Sequence, residues 1–107
     1  MSAILLSVQR LANYEVYDRQ GNKLGVIDDL MLDVDRSKVR YAVLASRSGL
    51  TKKNFAVPLT ALTLDTENEC FMLDVAREAL TNATGFDMRS PPAAPDPLFA
   101  PRTTAST

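Results

Sequence analysis

Histidine is absent from the 107 residues of this chain, and cysteine occurs once, at Cys70. Without histidine there is no imidazole for general-base catalysis, for metal binding or for the usual catalytic triads. A single cysteine excludes a disulfide within the chain, which agrees with a reducing compartment. We therefore expect a protein that is not an enzyme and that uses no cofactor and no metal.

Strong net charge and long apolar runs are also missing. The chain has 12 basic and 13 acidic residues and a formal net charge of −1, so it lacks the basic character typical of proteins that bind a phosphate backbone. No apolar run approaches the roughly 20 residues of a membrane span, and Met1–Val8 lacks the basic flank and apolar length of a signal peptide. We expect a cytoplasmic protein without a transmembrane segment, and nucleic acid is not expected as its principal ligand.

The composition that remains, 46% hydrophobic and 23% charged, is that of an ordinary globular domain. We place this domain at residues 1–89 and a proline-rich tail at residues 90–107, which holds five of the six prolines. Proline-rich sequence is extended rather than folded by itself. Leu98 and Phe99 are the apolar residues that can anchor this tail on the chain itself or on a neighbour.

The fold is organised around a long strand candidate, Gly25–Asp35, followed by a second strand, Val39–Arg47. Aspartate and serine in the intervening residues 35–38 favour a turn. Because strand side chains alternate between faces, this turn predicts a register and a core face for the hairpin. The register pairs Val34 with Val39, Leu32 with Tyr41 and Leu30 with Val43, and it places all six residues on the core face.

The alternation breaks near the start of the first strand. Ile27 and Leu30 cannot both point inward on a regular strand, because they are three residues apart. The sequence therefore predicts a β-bulge near Asp28 and Asp29.

On the opposite face of the hairpin, the same register places Asp33 across from Arg40 as an ion pair. It also leaves Met31, Ala42 and Leu44 as an apolar strip that a small domain should not expose. A closing strand, a short helix, the tail or a second copy of the chain could cover the strip. We favour a homodimer in which the tail contributes contacts, with Met31, Ala42, Leu44, Leu98 and Phe99 as its interface residues.

The other segments predict a mainly β domain with one short helix towards the C-terminus. Alternation and turn residues indicate strands at Ala3–Val8, Tyr14–Tyr17 and Phe55–Leu59, a polar loop at Ser48–Asn54, a hairpin formed by Leu62–Leu64 with Phe71–Val75, and a helix at Val75–Thr81 capped by Asp74. Pro58 lacks the amide proton of a central strand, so its strand should lie at an edge or end there.

Two groups of charged residues have both a functional and a structural interpretation. Asp28, Asp29, Asp33 and Asp35 could hold a hard cation, but alternation spreads them along a strand and nearby basic residues neutralise them, so we favour a solvated face with ion pairs. Lys52 and Lys53 could contact an acidic partner or RNA, although two such lysines are more often hydrated charge.

The order of these signals resembles the PRC-barrel family, found in the photosynthetic reaction-centre H subunit and in a ribosome maturation factor. The chain departs from the family pattern at Thr84-Gly85, where many members have a proline. The residues that carry the resemblance are Leu11, Val16, Gly21, Leu24-Gly25, Ile27, Asp29-Leu30, Leu32-Asp33, Tyr41-Ala-Val43, Ala56-Val-Pro58, Leu62 and Phe86-Asp87.

The resemblance implies a small antiparallel six-stranded β-barrel or half-barrel that serves as a docking or assembly module and has no shared catalytic residues. Our first hypothesis is accordingly a non-enzymatic protein-interaction module from a bacterium or an archaeon. The alternatives are an RNA- or ribosome-associated maturation module, or an accessory protein of photosynthetic reaction-centre assembly. The first alternative expects Arg47, Lys52 and Lys53 to converge in a basic patch.

Overall fold

Six strands form one sheet in the order β4-β3-β2-β1-β6-β5 in a computed structural model that describes residues 5–100. The outer strands β4 and β5 do not pair, so the sheet is not closed into a barrel, and the mainly β fold is confirmed in this more open form. The elements are α1 (Val8–Leu11), β1 (Glu15–Tyr17), β2 (Lys23–Asp33), β3 (Lys38–Ser48), β4 (Thr51–Val57), β5 (Leu62–Asp65), β6 (Cys70–Leu73) and α2 (Arg77–Asn82), with 3-10 turns at Leu59–Ala61 and Pro97–Phe99.

The β2–β3 hairpin is present, but its predicted register is wrong. Its turn spans residues 34–37, so Asp33 pairs with Lys38, and a second bulge leaves Arg40 without a partner between Val39 and Tyr41. The resulting pairs are Leu32 with Val39, Met31 with Tyr41, Leu30 with Ala42 and Asp29 with Val43. A one-residue slip moves side chains to the other face of a strand, which is why the predicted core face is also wrong.

The bulge predicted upstream is confirmed. Ile27 pairs with Leu44 and Asp29 with Val43, which leaves Asp28 as the extra residue. This bulge lets Ile27 and Leu30 face the same apolar cluster despite their odd spacing.

Apolar side chains pack on both faces of the sheet. The inner face carries the main core, which gathers residues from β1 to β4, from β6 and from both helices: Leu11, Val16, Leu24, Ile27, Ala42, Leu44, Phe55, Val57, Phe71, Leu73 and Leu80, together with Phe99. The outer face carries a smaller cluster of Tyr41, Val43 and Ala56, with Met31 and Phe86 packed against it. Because β4 and β6 both contribute to the main core, the sheet curls around it.

Five of the six residues expected on the core face lie outside the main core. Tyr41 and Val43 are buried in the smaller cluster on the outer face instead, and Val39 is half-buried. Leu32, near the end of β2, is 62% exposed, and Val34, in the turn that follows, is 75% exposed. The predicted strip of Met31, Ala42 and Leu44 is divided between the two faces. Ala42 and Leu44 are buried in the main core, so the prediction that they point away from it is wrong.

Pairing at the other end of the sheet combines a confirmed hairpin with an unexpected parallel pair. β5 and β6 form the predicted antiparallel hairpin, in which Phe71 and Leu73 are buried and Met72 is exposed. β1 pairs with β6 in parallel, with Val16 beside Phe71, so the sheet is not purely antiparallel. The expected single helix is likewise two short helices.

Several local predictions change at element ends. Val8–Leu11 is helical, so the predicted strand at residues 3–8 does not form over its described part; residues 3 and 4 lie outside the described residues. β4 already begins at Thr51, so most of the predicted polar loop is strand. α2 has Ala76 as its N-cap, not Asp74. β4 ends at Val57 as an edge strand, as Pro58 predicts.

No helix within residues 5–100 combines the length and the apolar character needed to cross a bilayer.

Candidate interaction surfaces

Residues 86–99, here called the C-terminal segment, return to the outer edge of β4. The amide of Phe86 donates to the carbonyl of Asn54 at 2.8 Å, and the amide of Asp96 donates to the carbonyl of Ala56 at 2.9 Å. Both acceptors belong to β4, which has no neighbouring strand on this side within residues 5–100. An uncovered edge of this kind is a template for pairing with another chain, and here the protein covers it with its own segment.

The same segment contacts the outer face of β3. The hydroxyl of Tyr41 donates to the carbonyl of Pro92 at 2.8 Å, and Nε of Arg40 donates to the carbonyl of Ala93 at 3.0 Å. Proline-rich sequence leaves its carbonyls without internal partners, so these two side chains supply the donors. Burial raises the pKa of the Tyr41 phenol, which keeps it protonated as a donor.

Phe99 anchors the end of the segment in the main core. Its ring lies 6.0 Å from that of Phe55 in an edge-to-face arrangement, and only 4% of the residue is exposed. The carboxylate of Asp96 accepts from the amide of Leu98 at 3.0 Å and so caps the 3-10 turn that presents Phe99. Leu98 is 38% exposed and lines an open cavity of about 680 Å³ beside α2.

We name Arg40, Tyr41, Asn54, Phe55 and Ala56 the tail-docking surface. Of the two apolar residues expected to anchor the tail, Phe99 is buried in the main core of this same chain, whereas Leu98 lies outside that core. The contacts of the predicted interface residues with a second copy, and the division of the chain at residue 89, stay predictions.

The four aspartates of the β2–β3 region do not gather into a cation site. Asp28 lies 3.7 Å from Lys52, Asp29 accepts from the amide of Leu30, and Asp33 contacts Arg36 at 3.2 Å and Arg40 at 3.7 Å. The Asp33–Arg40 ion pair is therefore confirmed, although the two residues are not register partners. Within residues 5–100, no three acidic or cysteine side chains lie close enough to hold a metal ion.

A second concave surface lies at the opposite end of β3. Lys23, Arg47, Lys52 and Arg77 line a groove of about 400 Å³ together with Asp28 and the apolar residues Leu24, Val26 and Ala45. We call it the basic groove. Arg47 and Lys52 converge here, as the RNA-associated alternative expects. Lys53 instead donates to the carbonyls of Thr81 and Ala83 at the end of α2.

Sequence reasoning missed Lys23 and Arg77 as members of this groove. Arg77 is far from the others in sequence and reaches them because Nη1 donates to the carbonyl of Lys23 at 2.8 Å. No local sequence pattern predicts this contact, because it depends on how α2 packs beside the start of β2.

The single thiol is not activated. Desolvation by burial, followed by the charges of Asp65 and Glu15, raises the pKa of Cys70 above its ordinary value. A reactive thiol needs the opposite shift, so Cys70 has the character of a structural residue.

Comparison with known proteins identifies the family of this chain. No curated protein matches the chain. A solved structure described as that of a 16S ribosomal RNA processing protein, RimM, from Pseudomonas aeruginosa is similar at 15% identity and a TM-score of 0.46. The match covers 68% of this chain and 45% of that one, so this chain spans less than half the length of that protein. The sequence pattern of the PRC-barrel domain matches residues 5–80, most of the chain, and the protein therefore belongs to the PRC-barrel family.

Proposed function

We propose that this chain is a non-enzymatic protein-interaction and assembly module that acts as a homodimer in the cytoplasm. The observation that carries the proposal is the docking of the C-terminal segment on the edge of β4. Two backbone hydrogen bonds join this segment to β4, and its Phe99 ring packs on Phe55. A sheet edge binds an extended peptide in the same way, through main-chain hydrogen bonds and side-chain pockets.

The nature of these contacts supports the proposed dimer. Each of them joins the C-terminal segment to the tail-docking surface, and either surface can come from another copy without a change in the chemistry. Exchange of an identical element between two copies is a low-cost route to a dimer. In the proposed dimer, Phe99 of each copy packs on Phe55 of the other, and Leu98 lies at the rim of the exchanged contact.

The absence of histidine from the sequence supports the non-enzymatic part of the proposal. The raised pKa of Cys70 and the separation of the aspartates support it further. The family adds nothing for or against a reaction, because a fold by itself does not specify chemistry.

Sedimentation velocity at micromolar to submillimolar concentrations tests the proposal. The full-length chain should sediment as a dimer, and Phe99→Ala should sediment as a monomer because the exchanged contact loses its anchor. Leu98→Ala is the matched control and should remain dimeric, since Leu98 is far more exposed than Phe99. A full-length chain that stays monomeric over this whole range would rule out the homodimer.

An RNA- or ribosome-associated role is the second candidate. The basic groove favours it, because it brings Arg47 and Lys52 together with two further cations. The net charge of −1 argues against a general affinity for phosphate backbones. A filter-binding titration with single-stranded RNA distinguishes the candidates: the first expects weak binding, and the second expects binding that decreases steeply with salt. An accessory role in reaction-centre assembly stays a prediction from the family alone.

A further inference from the structure

The basic groove carries more positive charge than the fold itself neutralises. Lys23 contacts Glu15 at 2.9 Å, and Lys52 lies 3.7 Å from Asp28, a distance longer than a direct hydrogen bond. Arg47 forms no ion pair with any residue in the described part of the chain. The groove is therefore a local positive site on a chain whose net charge is −1.

The register of β3 and β4 concentrates this charge. Arg47 is the direct cross-strand partner of Lys52, and like charges in such a pair destabilise a hairpin. The neighbouring pair, Ser46 with Lys53, carries no such conflict, because Ser46 is uncharged. The Arg47–Lys52 pair costs stability, and an anion bound between the two side chains would remove that cost.

The groove also has an apolar part. Leu24 and Ala45 are buried, and Val26 is half-buried, among the residues that line it. Among residues 5–100, no aromatic side chain lines it, so these residues offer no platform on which nucleic-acid bases could stack. This combination suits a ligand that carries carboxylates beside an aliphatic side chain.

The cations are arranged for carboxylates in particular. A guanidinium presents paired N–H donors that match the two oxygens of a carboxylate, and the groove contains two guanidinium groups. Both arginines are exposed, but Arg77 is held in place by its bond to the carbonyl of Lys23, whereas the Arg47 guanidinium has no hydrogen bond within residues 5–100. One guanidinium is thus fixed and the other is available to close on a ligand.

We propose that the basic groove binds an acidic peptide segment of a partner protein, with carboxylates on Arg47, Lys52 and Arg77 and an aliphatic side chain against Val26 and Ala45. The groove lies at the opposite end of β3 from Tyr41. Its failure to bind would therefore leave the homodimer proposal intact, and a monomeric chain could still bind the peptide.

Fluorescence anisotropy with the full-length chain tests this inference. The probe is a labelled short peptide in which glutamate and aspartate flank a central leucine, and the matched probe replaces the acidic residues by glutamine and asparagine. The acidic peptide should bind, and its affinity should fall as salt rises. The neutral peptide should bind at least about tenfold more weakly, since charge-assisted contacts supply most of the interaction.

Arg47→Glu is the informative variant. It should weaken the acidic peptide at least about tenfold, and the chain should stay folded because the new carboxylate faces Lys52. Lys38→Glu is the control for the change of charge: it makes the same charge change on an exposed residue at the other end of β3. It also places a glutamate opposite Asp33, a like-charge pair that lowers stability. The control should bind within about twofold of the native chain, because Lys38 lies outside the groove. Thermal melting of both variants establishes that they are folded.

Several results would overturn the inference. The acidic peptide would fail to bind, or the neutral peptide would bind equally well. Alternatively, Arg47→Glu and Lys38→Glu would lose the same affinity for the acidic peptide, which would indicate general charge attraction. Polyuridylate that binds more tightly than the peptide and is lost in Arg47→Glu would assign the groove to nucleic acid instead.

Discussion

The two ends of β3 differ in what lies against them. At the Tyr41 end, the C-terminal segment covers the outer face of β3 through carbonyls that accept from Arg40 and Tyr41. It covers the neighbouring edge of β4 through two backbone amides, and its Phe99 ring enters the main core. At the Arg47 end, the face stays open and is lined by cations. The Tyr41 end is therefore used for contacts within the chain, whereas the Arg47 end presents exposed cations.

The largest effect on stability is expected from removal of the buried anchor, Phe99. Phe99→Ala should lower the free energy of unfolding by about 3 kcal/mol, because it deletes an aromatic side chain from the main core. Leu98→Ala should cost less than about 1 kcal/mol, as expected for a partly exposed position. Urea denaturation measures both. Equal effects of the two substitutions would show that Phe99 is not the anchor.

The approach of the C-terminal segment to β4 depends on Gly85. A Cβ atom there would lie 2.6 Å from the carbonyl oxygen of Asn54, and the residue has a φ of +71°. Gly85→Ala should cost about 2 kcal/mol from the clash and the unfavourable backbone together. Gly49→Ala, also at positive φ but in open space, should cost about 1 kcal/mol.

Thermal unfolding of these two variants isolates the contribution of the close approach. Equal destabilisation would mean that only the backbone conformation matters at Gly85, and that the segment does not need to lie so close to Asn54.

A smaller effect is expected from the hydrogen bond between Tyr41 and Pro92. Tyr41→Phe keeps the ring in the outer cluster and removes only the hydroxyl donor, so it should cost about 1 kcal/mol. Tyr14→Phe, on a tyrosine that packs on Phe71 away from the tail-docking surface, is the control. Urea titration compares them, and a larger cost at Tyr14 would contradict the role given to the Tyr41 hydroxyl.

The smallest effect concerns the turn that leads into the basic groove. Asp18 is buried and accepts from the side chain of Asn22 and from the amides of Asn22 and Gln20. These hydrogen bonds, with that of the Asn22 side chain first, hold the pKa of Asp18 below its ordinary value. A depressed pKa gives stability that is present above the unfolded-state pKa and is lost as the pH falls through the folded-state value.

Asp18→Asn should therefore lower stability at neutral pH and flatten its decline in acid. Asp35→Asn, on the exposed hairpin turn, controls for the change of charge. Denaturation midpoints measured from neutral pH down to strongly acidic pH give the comparison. An unchanged slope in Asp18→Asn would mean that the Asp18 hydrogen bonds do not contribute to the pH dependence.

Regular alternation made part of the fold predictable. The β5–β6 hairpin follows directly from Phe71 and Leu73 alternating with Met72, and Pro58 correctly ends β4. The odd spacing of Ile27 and Leu30 was enough to predict the Asp28 bulge. These signals are local, because each depends on residues only a few positions apart.

The rest depended on contacts between distant residues. The sequence does not predict the bulge at Arg40, because both Val39 and Tyr41 are good strand residues. This bulge places Ala42 and Leu44 in the main core. The basic groove needed α2 to bring Arg77 to Lys23. The sequence did suggest Phe99 as an anchor, but not the edge of β4 as its destination.

The docking of the C-terminal segment on β4 is tested most directly by amide hydrogen exchange of Phe86 and Asp96, followed by NMR in the full-length chain. Both amides donate to β4 carbonyls, so they should exchange slowly in the native chain, and Asp96 should exchange fast in Phe99→Ala. Fast exchange of both amides in the native chain would contradict the account.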